Sequence, residues 1–591
     1  MQYHFTNHYR LLSLLAGVCI GFLALAIRLV DLQLVQGSTY RQISEENRFF
    51  RKSIPAERGV FFDRFKNPLV FNKPVYYKID DPSKIFSEES LLTNQEAVEM
   101  MVASPAAVVR RTFRHYPNAQ SLSGVLGYVG AVTKEEIQRH SQLKSDDEVG
   151  KIGLEKSLDF QIRGQDGEEV YELNARGLIL REISEEPAKA GKNVHLTIDS
   201  ELNAFVAEQM KAVKGAVVIG NPKTGELLSL VSTPSYDANV LSHPVYSTAE
   251  AKVKVQVIQN YFSDSNKLFF NRAISGSYPP GSVFKLVTAL AGLEQGAFTV
   301  DTMVVDEGVL KVNDFEFGNW YYRQYGRVEG AVSVRRALAR SNDIFFYKAA
   351  EWLGPQKLAD SARMFGFGQP TGIELGSEAK GLVPDPAWKE KTIGEPWYLG
   401  NTYHFGIGQG DLLVTPLQIF NMTTVFANEG KRCVPHIIST VEGSDEKKKI
   451  ECQELGYSSE YLQAVWEGMV AACSTEGTAF PFFPWNTDHE GKEKVACKTG
   501  TAEFGAANEK GYRNTHGWFT MVGTLVQDEK NTSPVSTGSA QIKEFLDQYP
   551  KEVVITVLVE SDEAIPFKEG SRDAAPIAKA IYDWMNKNRT E

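Results

Sequence analysis

The chain has 591 residues, more than one hydrophobic core organises, so several structural units are expected. Hydrophobic residues make up 42% and charged residues 23%, ordinary globular usage that excludes a disordered, collagen-like or polytopic membrane chain. The formal net charge of −11 comes without a long basic run and argues against nucleic acid as a partner.

The first predicted element is apolar. Residues 11–27 carry no charge, and Leu29 and Val30 extend the stretch past Arg28, so 11–30 is long enough to span a bilayer with slight adjustment. Ala24 and Ala26 form an A-x-A pattern, which makes a cleaved signal peptide the competing reading. No polar break precedes them and the amphipathic run LVDLQLVQG follows, so an uncleaved anchor is expected. The tail 1–10 holds Arg10 and no acid, which places it in the cytoplasm and residues from about 32 onward outside.

Residues 31–188 read as a mixed α/β region. A helical stretch runs to about Asn47, and the segment PAERGVFFDR over 55–64 reads as a strand entering a turn. Nothing in this region has catalytic spacing. The composition turns polar around 185–191, and a domain boundary is placed there, so that 189–591 forms the second half. It opens with two apolar runs around an N-P-K-T-G turn, 216–232, a predicted β-hairpin. Helical patterns dominate from about 282 to 475, strands return at 494–501, 516–526 and 552–560, and an amphipathic helix closes the chain over 574–588. The pattern predicts one sheet built from the first and last segments of the domain and carrying a helical insertion. The polar segment from near 527 to near 550 is expected to be a mobile surface loop.

The cysteines are Cys19, Cys433, Cys452, Cys473 and Cys497, with no CxxC and no Cys/His cluster at zinc spacing. The last four can form disulfides in an oxidising compartment or stay buried as free thiols, and free thiols are the expectation.

A serine and a lysine three apart on a helix share a face, so the amine can serve as base for the hydroxyl. Four such pairs occur: Ser141/Lys144, Ser282/Lys285, Ser377/Lys380 and Ser444/Lys447. Three lie in polar, solvated surroundings where a lysine keeps its proton. Ser282 instead follows YPPG and precedes the apolar run VFKLVTALAGL, which places it at the start of a buried helix. There the helix end offers free N–H groups, and burial lowers the pKa of Lys285. The same residues also fit an N-cap serine with a snorkelling lysine.

Lys-Thr-Gly occurs twice. Lys223 lies in the hairpin turn and faces water, whereas Lys498-Thr499-Gly500 follows the apolar residues 495–497 and reads as an interior strand whose glycine admits a ligand. Lys498 can hold a substrate carboxylate and, as a second cation, depress the pKa of Lys285. Between these motifs, Ser341 and Asp343 place a hydroxyl and a carboxylate two apart at the start of another apolar segment, where capping is the competing reading.

In the order Ser-x-x-Lys, Ser-x-Asp, Lys-Thr-Gly the chain resembles the class B penicillin-binding proteins, and the likeness covers nearly all of it beyond the span. It extends to residues 55–64, to RAISGSYPPGSVFK over 272–285 and to GSRDAAP over 570–576. Ser341-x-Asp343, GEPWYLG over 394–400 and GIGQGDLLVTPLQ over 406–418 resemble the rod-elongation branch more than the septal one. The resemblance implies an α/β (α+β) multidomain chain: a single N-terminal transmembrane helix, an elongated pedestal or dimerisation-type domain, and a transpeptidase domain with a central antiparallel sheet flanked by helices. It implies a D,D-transpeptidase of the bacterial cell membrane, acting outside the cytoplasm, that cross-links peptidoglycan stem peptides during elongation and is acylated by β-lactams.

In that reading Ser282 attacks the D-Ala-D-Ala carbonyl while neutral Lys285 takes its proton. Ser341 relays the proton, and Asp343 hydrogen-bonds near Lys285 and favours its charged form. Lys498, Thr499, Gly500 and Thr501 bind the terminal carboxylate, and the N–H groups of Ser282 and Thr501 form the oxyanion hole. A polytopic glycan-polymerising subunit and other elongation-complex proteins are the implied partners, for which Gly17 and Gly21 offer a G-x-x-x-G face in the span. Some members carry zinc between the first two motifs, but residues 286–340 hold neither His nor Cys, so no metal and no cofactor are expected. Gly517 stands where a larger residue or Ala is usual, so a different acceptor-side surface is expected. Two alternatives share the sequence: a D,D-carboxypeptidase or β-lactamase using the same Ser/Lys chemistry, and a non-catalytic membrane-tethered scaffold.

Overall fold

Helix α1, Phe5–Val30, is strongly apolar, and with the residues that follow it forms a stretch, His8–Val35, that contains an 18-residue segment of mean hydropathy 2.3 and is long and apolar enough to cross a membrane. The computed structural model describes residues 5–444, 448–507, 513–526, 549–562 and 565–590. The chain divides into two units, one from Met1–Glu57, Pro74–Thr112 and Gly164–Gly191, the other from Arg58–Lys73, Phe113–Arg163 and Lys192–Glu591.

The first unit holds α1 and a three-stranded antiparallel sheet of β1 (Phe49–Ile54), β2 (Gly167–Leu173) and β3 (Ile179–Glu186), with β2 in the centre. Arg51 and Lys52 of β1 pair with Glu168 and Glu169 of β2 across the ladder, at 2.5 and 3.2 Å. These are solvated pairs that set register more than stability.

The second unit is organised by a five-stranded antiparallel sheet. The hairpin β4 (Gly215–Gly220) and β5 (Leu227–Thr233) is joined by three late strands, β6 (Ala496–Phe504), β7 (Asn514–Thr524) and β8 (Glu552–Val559), in the order β5-β4-β8-β7-β6. The sheet is thus assembled from the first and last segments of the domain, as expected. Its strands are buried on both faces, and successive residues serve two cores. Ala216, Val218, Trp518 and Leu558 pack with the helical insertion, while Val217, Ile219, Phe519 and Val557 pack beneath the closing helix.

Four helices of this unit matter for the site and its supports: α2 (Lys285–Glu294), α3 (Asp343–Leu353), α4 (Pro416–Ala427) and α5 (Ser459–Ala472). All twelve residues of α4 are buried, as suits a helix lying against the sheet with the rest of the insertion over it. Helix α6 (Ala575–Asn588) closes the opposite face through Ala578, Ile581, Tyr582 and Met585. The expected surface loop falls outside the described residues from 527 to 548.

The expectation of free thiols is corrected: Cys433 pairs with Cys452 and Cys473 with Cys497. The first two are direct partners across a short antiparallel ladder. The second pair ties the end of α5 to β6 immediately before Lys498. Both pairings depend on strand register and helix docking, which spacing along the chain does not reveal.

Candidate active site

The first motif sits on a turn that only this local sequence makes. Two prolines fix the approach, and Gly281 adopts a φ of +57°, where a side chain is disfavoured. A Cβ on Gly281 would also lie 2.6 Å from the Thr501 carbonyl, so the turn and β6 approach as closely as they do only with glycine there. Gly281–Phe284 then forms a 3₁₀ turn running into α2. In a 3₁₀ turn residues i and i+3 eclipse, which puts the half-buried Ser282 and the fully buried Lys285 on one face. Among the described residues no group hydrogen-bonds the Ser282 hydroxyl, whereas the Lys285 protons are engaged. Lys285 Nζ donates to Asp343 Oδ1 at 2.7 Å, to the Ser341 carbonyl at 2.8 Å and to Ser341 Oγ at 3.4 Å.

The second motif is held in a strained junction. Ser341 caps the helix Val334–Arg340 with a φ of +54°, uncommon for a residue with a side chain, and Asn342 caps α3 by accepting the Phe345 N–H at 2.9 Å. This sharp reversal points Ser341 and Asp343 toward Lys285. The third motif approaches from β6, the edge strand of the sheet. Lys498, fully buried, donates to Ser341 Oγ at 2.8 Å and to the Thr499 carbonyl at 3.1 Å. Ser341 Oγ therefore stands between two lysine amines.

Burial pushes the Lys285 amine below its ordinary pKa, and the Asp343 carboxylate opposes that shift. Burial pushes Lys498 well below its ordinary value and the neighbouring Lys285 adds to the effect, with Asp343 pulling the other way. Of the two amines, Lys285 is the one that forms an ion pair with a carboxylate, that of Asp343.

Thr501 is exposed on the outer edge of β6. Its carbonyl accepts Gln409 Nε2–H at 3.2 Å, and Gln409 Oε1 accepts the Glu503 N–H at the same distance. In an antiparallel strand the N–H and carbonyl of one residue point the same way, so the Thr501 N–H also faces this open edge. Thr499 Oγ1 is hydrogen-bonded to Thr478 Oγ1 at 2.8 Å. Sequence reasoning missed Thr478, and found Gln409 only as a letter in the 406–418 segment. It also missed what Gly570 does: a Cβ there would lie 2.1 Å from the Trp518 carbonyl and 2.7 Å from the Gly500 nitrogen, so the 570–576 segment crosses directly over β6 and β7. Gly517 is buried against the Glu569 backbone, where a Cβ would come within 2.9 Å, and this close approach accounts for a glycine at that position.

Lys144 and Lys380 are exposed, Lys447 lies outside the described residues, and Lys223 is an exposed turn residue.

A serine on a helix-initiating turn, two buried lysines joined through a second serine, and an open sheet edge beside them define a serine acyltransferase. The chain belongs to the penicillin-binding protein transpeptidases: residues 215–541 match the penicillin binding protein transpeptidase domain, and residues 99–196 the penicillin-binding protein dimerisation domain. It is a D,D-transpeptidase. Among its relatives, the peptidoglycan D,D-transpeptidase MrdA of Haemophilus influenzae is 28% identical over 98% of this chain and 92% of the relative. MrdA of Escherichia coli K12 is 29% identical over 85% and 84%. Among solved structures, Pseudomonas aeruginosa PBP2 in complex with WCK 5153 superposes with a TM-score of 0.67 at 26% identity, covering 91% of this chain and 97% of that one. A chain from a peptidoglycan synthase complex that coordinates polymerization and crosslinking superposes with a TM-score of 0.72 at 26% identity over 98% of both.

Proposed function

We propose that the chain cross-links peptidoglycan stem peptides during cell-wall elongation, anchored by α1 with the residues after it outside the cytoplasm. The observation that carries the mechanism is the hydrogen-bonded series Lys285, Ser341, Lys498 beside Ser282. Ser282 Oγ attacks the carbonyl between the two terminal D-alanines, and the amine of Lys285 takes its proton. For that step Lys285 must be neutral; burial favours that form while Asp343 opposes it, and Ser341 Oγ links the amine to Lys498. The tetrahedral oxyanion lies between the N–H groups of Ser282 and Thr501, and each such donor is worth about 3 kcal/mol of barrier.

Collapse breaks the C–N bond. Ser341 hands a proton to the departing D-alanine and is recharged by the one Lys285 took, leaving an ester on Ser282. The acceptor amine attacks that ester and loses a proton through Ser341 to Lys285, which returns it to Ser282 Oγ as the ester C–O bond breaks. Lys498, Thr499, Gly500 and Thr501 along the edge of β6 hold the terminal carboxylate. A β-lactam presents the same carbonyl and carboxylate and acylates Ser282 without a leaving fragment that diffuses away.

A glycan-polymerising membrane subunit and other elongation-complex proteins are the proposed partners, contacted through α1 and the region from about 32 to 185. The likeness to a chain of a synthase complex that couples polymerization to crosslinking supports this. The test of transfer is a donor pentapeptide mixed with a stem peptide bearing a free side-chain amine. Release of D-alanine matched by formation of cross-linked product supports it; release without cross-link, with water as acceptor, contradicts it.

A further inference from the structure

Asp306, at the end of the strand Val304–Asp306, is 1% exposed, and among the described residues no cationic side chain pairs with it. Its partners are all uncharged. Oδ2 accepts Nδ2–H from Asn319 and from Asn342, each at 2.7 Å, and the Glu329 N–H at 3.2 Å, while Oδ1 accepts the Gly308 N–H at 2.7 Å. A carboxylate buried among amides alone is a poor source of stability compared with apolar packing, so its presence calls for another role.

The two asparagines supply that role. Both are fully buried, and each uses its other end on the second motif. Asn319 Oδ1 accepts the Asp343 N–H at 3.1 Å, and Asn342 Oδ1 accepts the Phe345 N–H at 2.9 Å. The amide end that meets a carboxylate must be its NH2 end, so Asp306 orients both side chains and thereby the oxygens that hold the first turn of α3. The residue after Asn319 completes the clamp: the Trp320 N–H donates to Asp343 Oδ2 at 2.9 Å, leaving Oδ1 for Lys285.

We propose that Asp306 is a positioning residue for acylation: through Asn319 and Asn342 it holds the Asp343 carboxylate against Lys285 and so sets the charge state of the amine that deprotonates Ser282. The inference rests on the roles proposed above for Ser282 and Lys285. Lys285 is faced by Asp343 and Ser341 from the second motif, by the Phe346 ring of α3 at 5.5 Å, and by Lys498 of β6, which shares Ser341 with it. Among the described residues that face it, only Asp343 brings a negative charge. With Asp343 displaced, burial acts unopposed, and Lys285 loses its proton at lower pH.

The test compares full-length parent, Asp306→Asn and Asn319→Ala in detergent, measuring the rate constant for acylation by a fluorescent penicillin from acid to alkaline pH. With Asp306→Asn, the carboxamide has one accepting oxygen and cannot serve both asparagines and the Gly308 N–H. The expected result is a plateau lowered by about a hundredfold, as for misplaced reacting groups, and an acid limb displaced to lower pH, with Asn319→Ala displaced in the same direction. An acid limb that stays where the parent's lies, whatever the plateau, overturns the proposal. A parent that is not acylated at Ser282 refutes the underlying mechanism instead. Should Asp306→Asn fail to fold, Asn319→Ala decides: a displaced limb supports the proposal and an unmoved limb overturns it.

Discussion

Lys285 and Asp343 form an ion pair inside the protein, Nζ to Oδ1 2.7 Å, with the lysine side chain wholly inaccessible and the carboxylate nearly so. Two consequences oppose each other. The pair keeps a charged lysine tolerable in the core, and the same carboxylate works against the neutral amine that attack by Ser282 requires. Replacing Asp343 by Asn removes the charge but keeps the shape. Lys285 then deprotonates at lower pH, so the acid limb of the acylation rate moves down. The pH–rate profile of Asp343→Asn checks this, and an unmoved limb contradicts it.

Lys498 carries a stability cost with a definite sign. Its folded-state pKa is lowered, so between that value and the ordinary lysine value the unfolded chain binds the extra proton. Stability therefore rises with pH across that window, by up to about 1.4 kcal/mol per pH unit for one proton. Lys498→Met is expected to lose acylation and to show a flatter rise in unfolding free energy from neutral to moderately alkaline pH than the parent. Denaturant titrations of both proteins across that range provide the check; parallel slopes would contradict it.

The disulfides separate structure from catalysis. Cys473–Cys497 encloses a chain separation of 24 and Cys433–Cys452 one of 19, so each is worth about 2–4 kcal/mol by the loop-closure argument. Only the first adjoins the site, since Cys497 precedes Lys498 and Thr478, shortly after Cys473, braces Thr499. Replacing both members of Cys473–Cys497 by Ser is expected to lower Tm and the acylation rate together. The same change at Cys433–Cys452 lowers Tm and leaves the rate at the parent's value. Thermal melts and penicillin acylation of the two variants distinguish these outcomes.

Glu155 illustrates a structural role for residues that look functional. It is fully buried and accepts from Arg114 Nε–H at 2.8 Å and from the Arg58 guanidinium Nη2–H at 2.9 Å. Burial alone would raise its pKa, but Arg114 and Arg58 overcome this and hold it below the usual carboxylate value. Its contribution is complete above the unfolded-state pKa and is lost as pH falls through the folded-state value. Glu155→Gln should destabilise the fold by about 3–5 kcal/mol, because the buried Arg114 guanidinium loses its counter-charge while Arg58 keeps only Asp159. The parent should show an acid-induced loss of stability that the variant shows to a smaller extent, measurable by denaturant midpoints at neutral and acid pH.

The parts of this fold that are legible in the sequence are those written locally. The hairpin at 215–233, the late strands and the closing helix follow from apolar periodicity. The contrast between Lys285 and Lys144 or Lys380 follows from apolar against polar neighbours. What was not legible depends on distant segments meeting. Asp306 and Asn319 read as ordinary polar residues until the reversal at Ser341 brings Asn342 beside them. Cys473 and Cys497 carry no pairing signal until α5 docks on β6. Arg58, Arg114, Glu155 and Asp159 stand in segments without catalytic spacing, and only the folded unit shows that they neutralise one another. Gly570 gives no hint in sequence of the two strands it must cross without a Cβ.

The most direct test of the account is intact-mass analysis of the full-length protein after incubation with penicillin, comparing the parent with Ser282→Ala. A Ser282 nucleophile gives a stable adduct of one penicillin on the parent, mapping to Ser282 by peptide digestion and absent from the variant. A folded parent that leaves penicillin intact and forms no adduct, or one that consumes penicillin without retaining it, would contradict it.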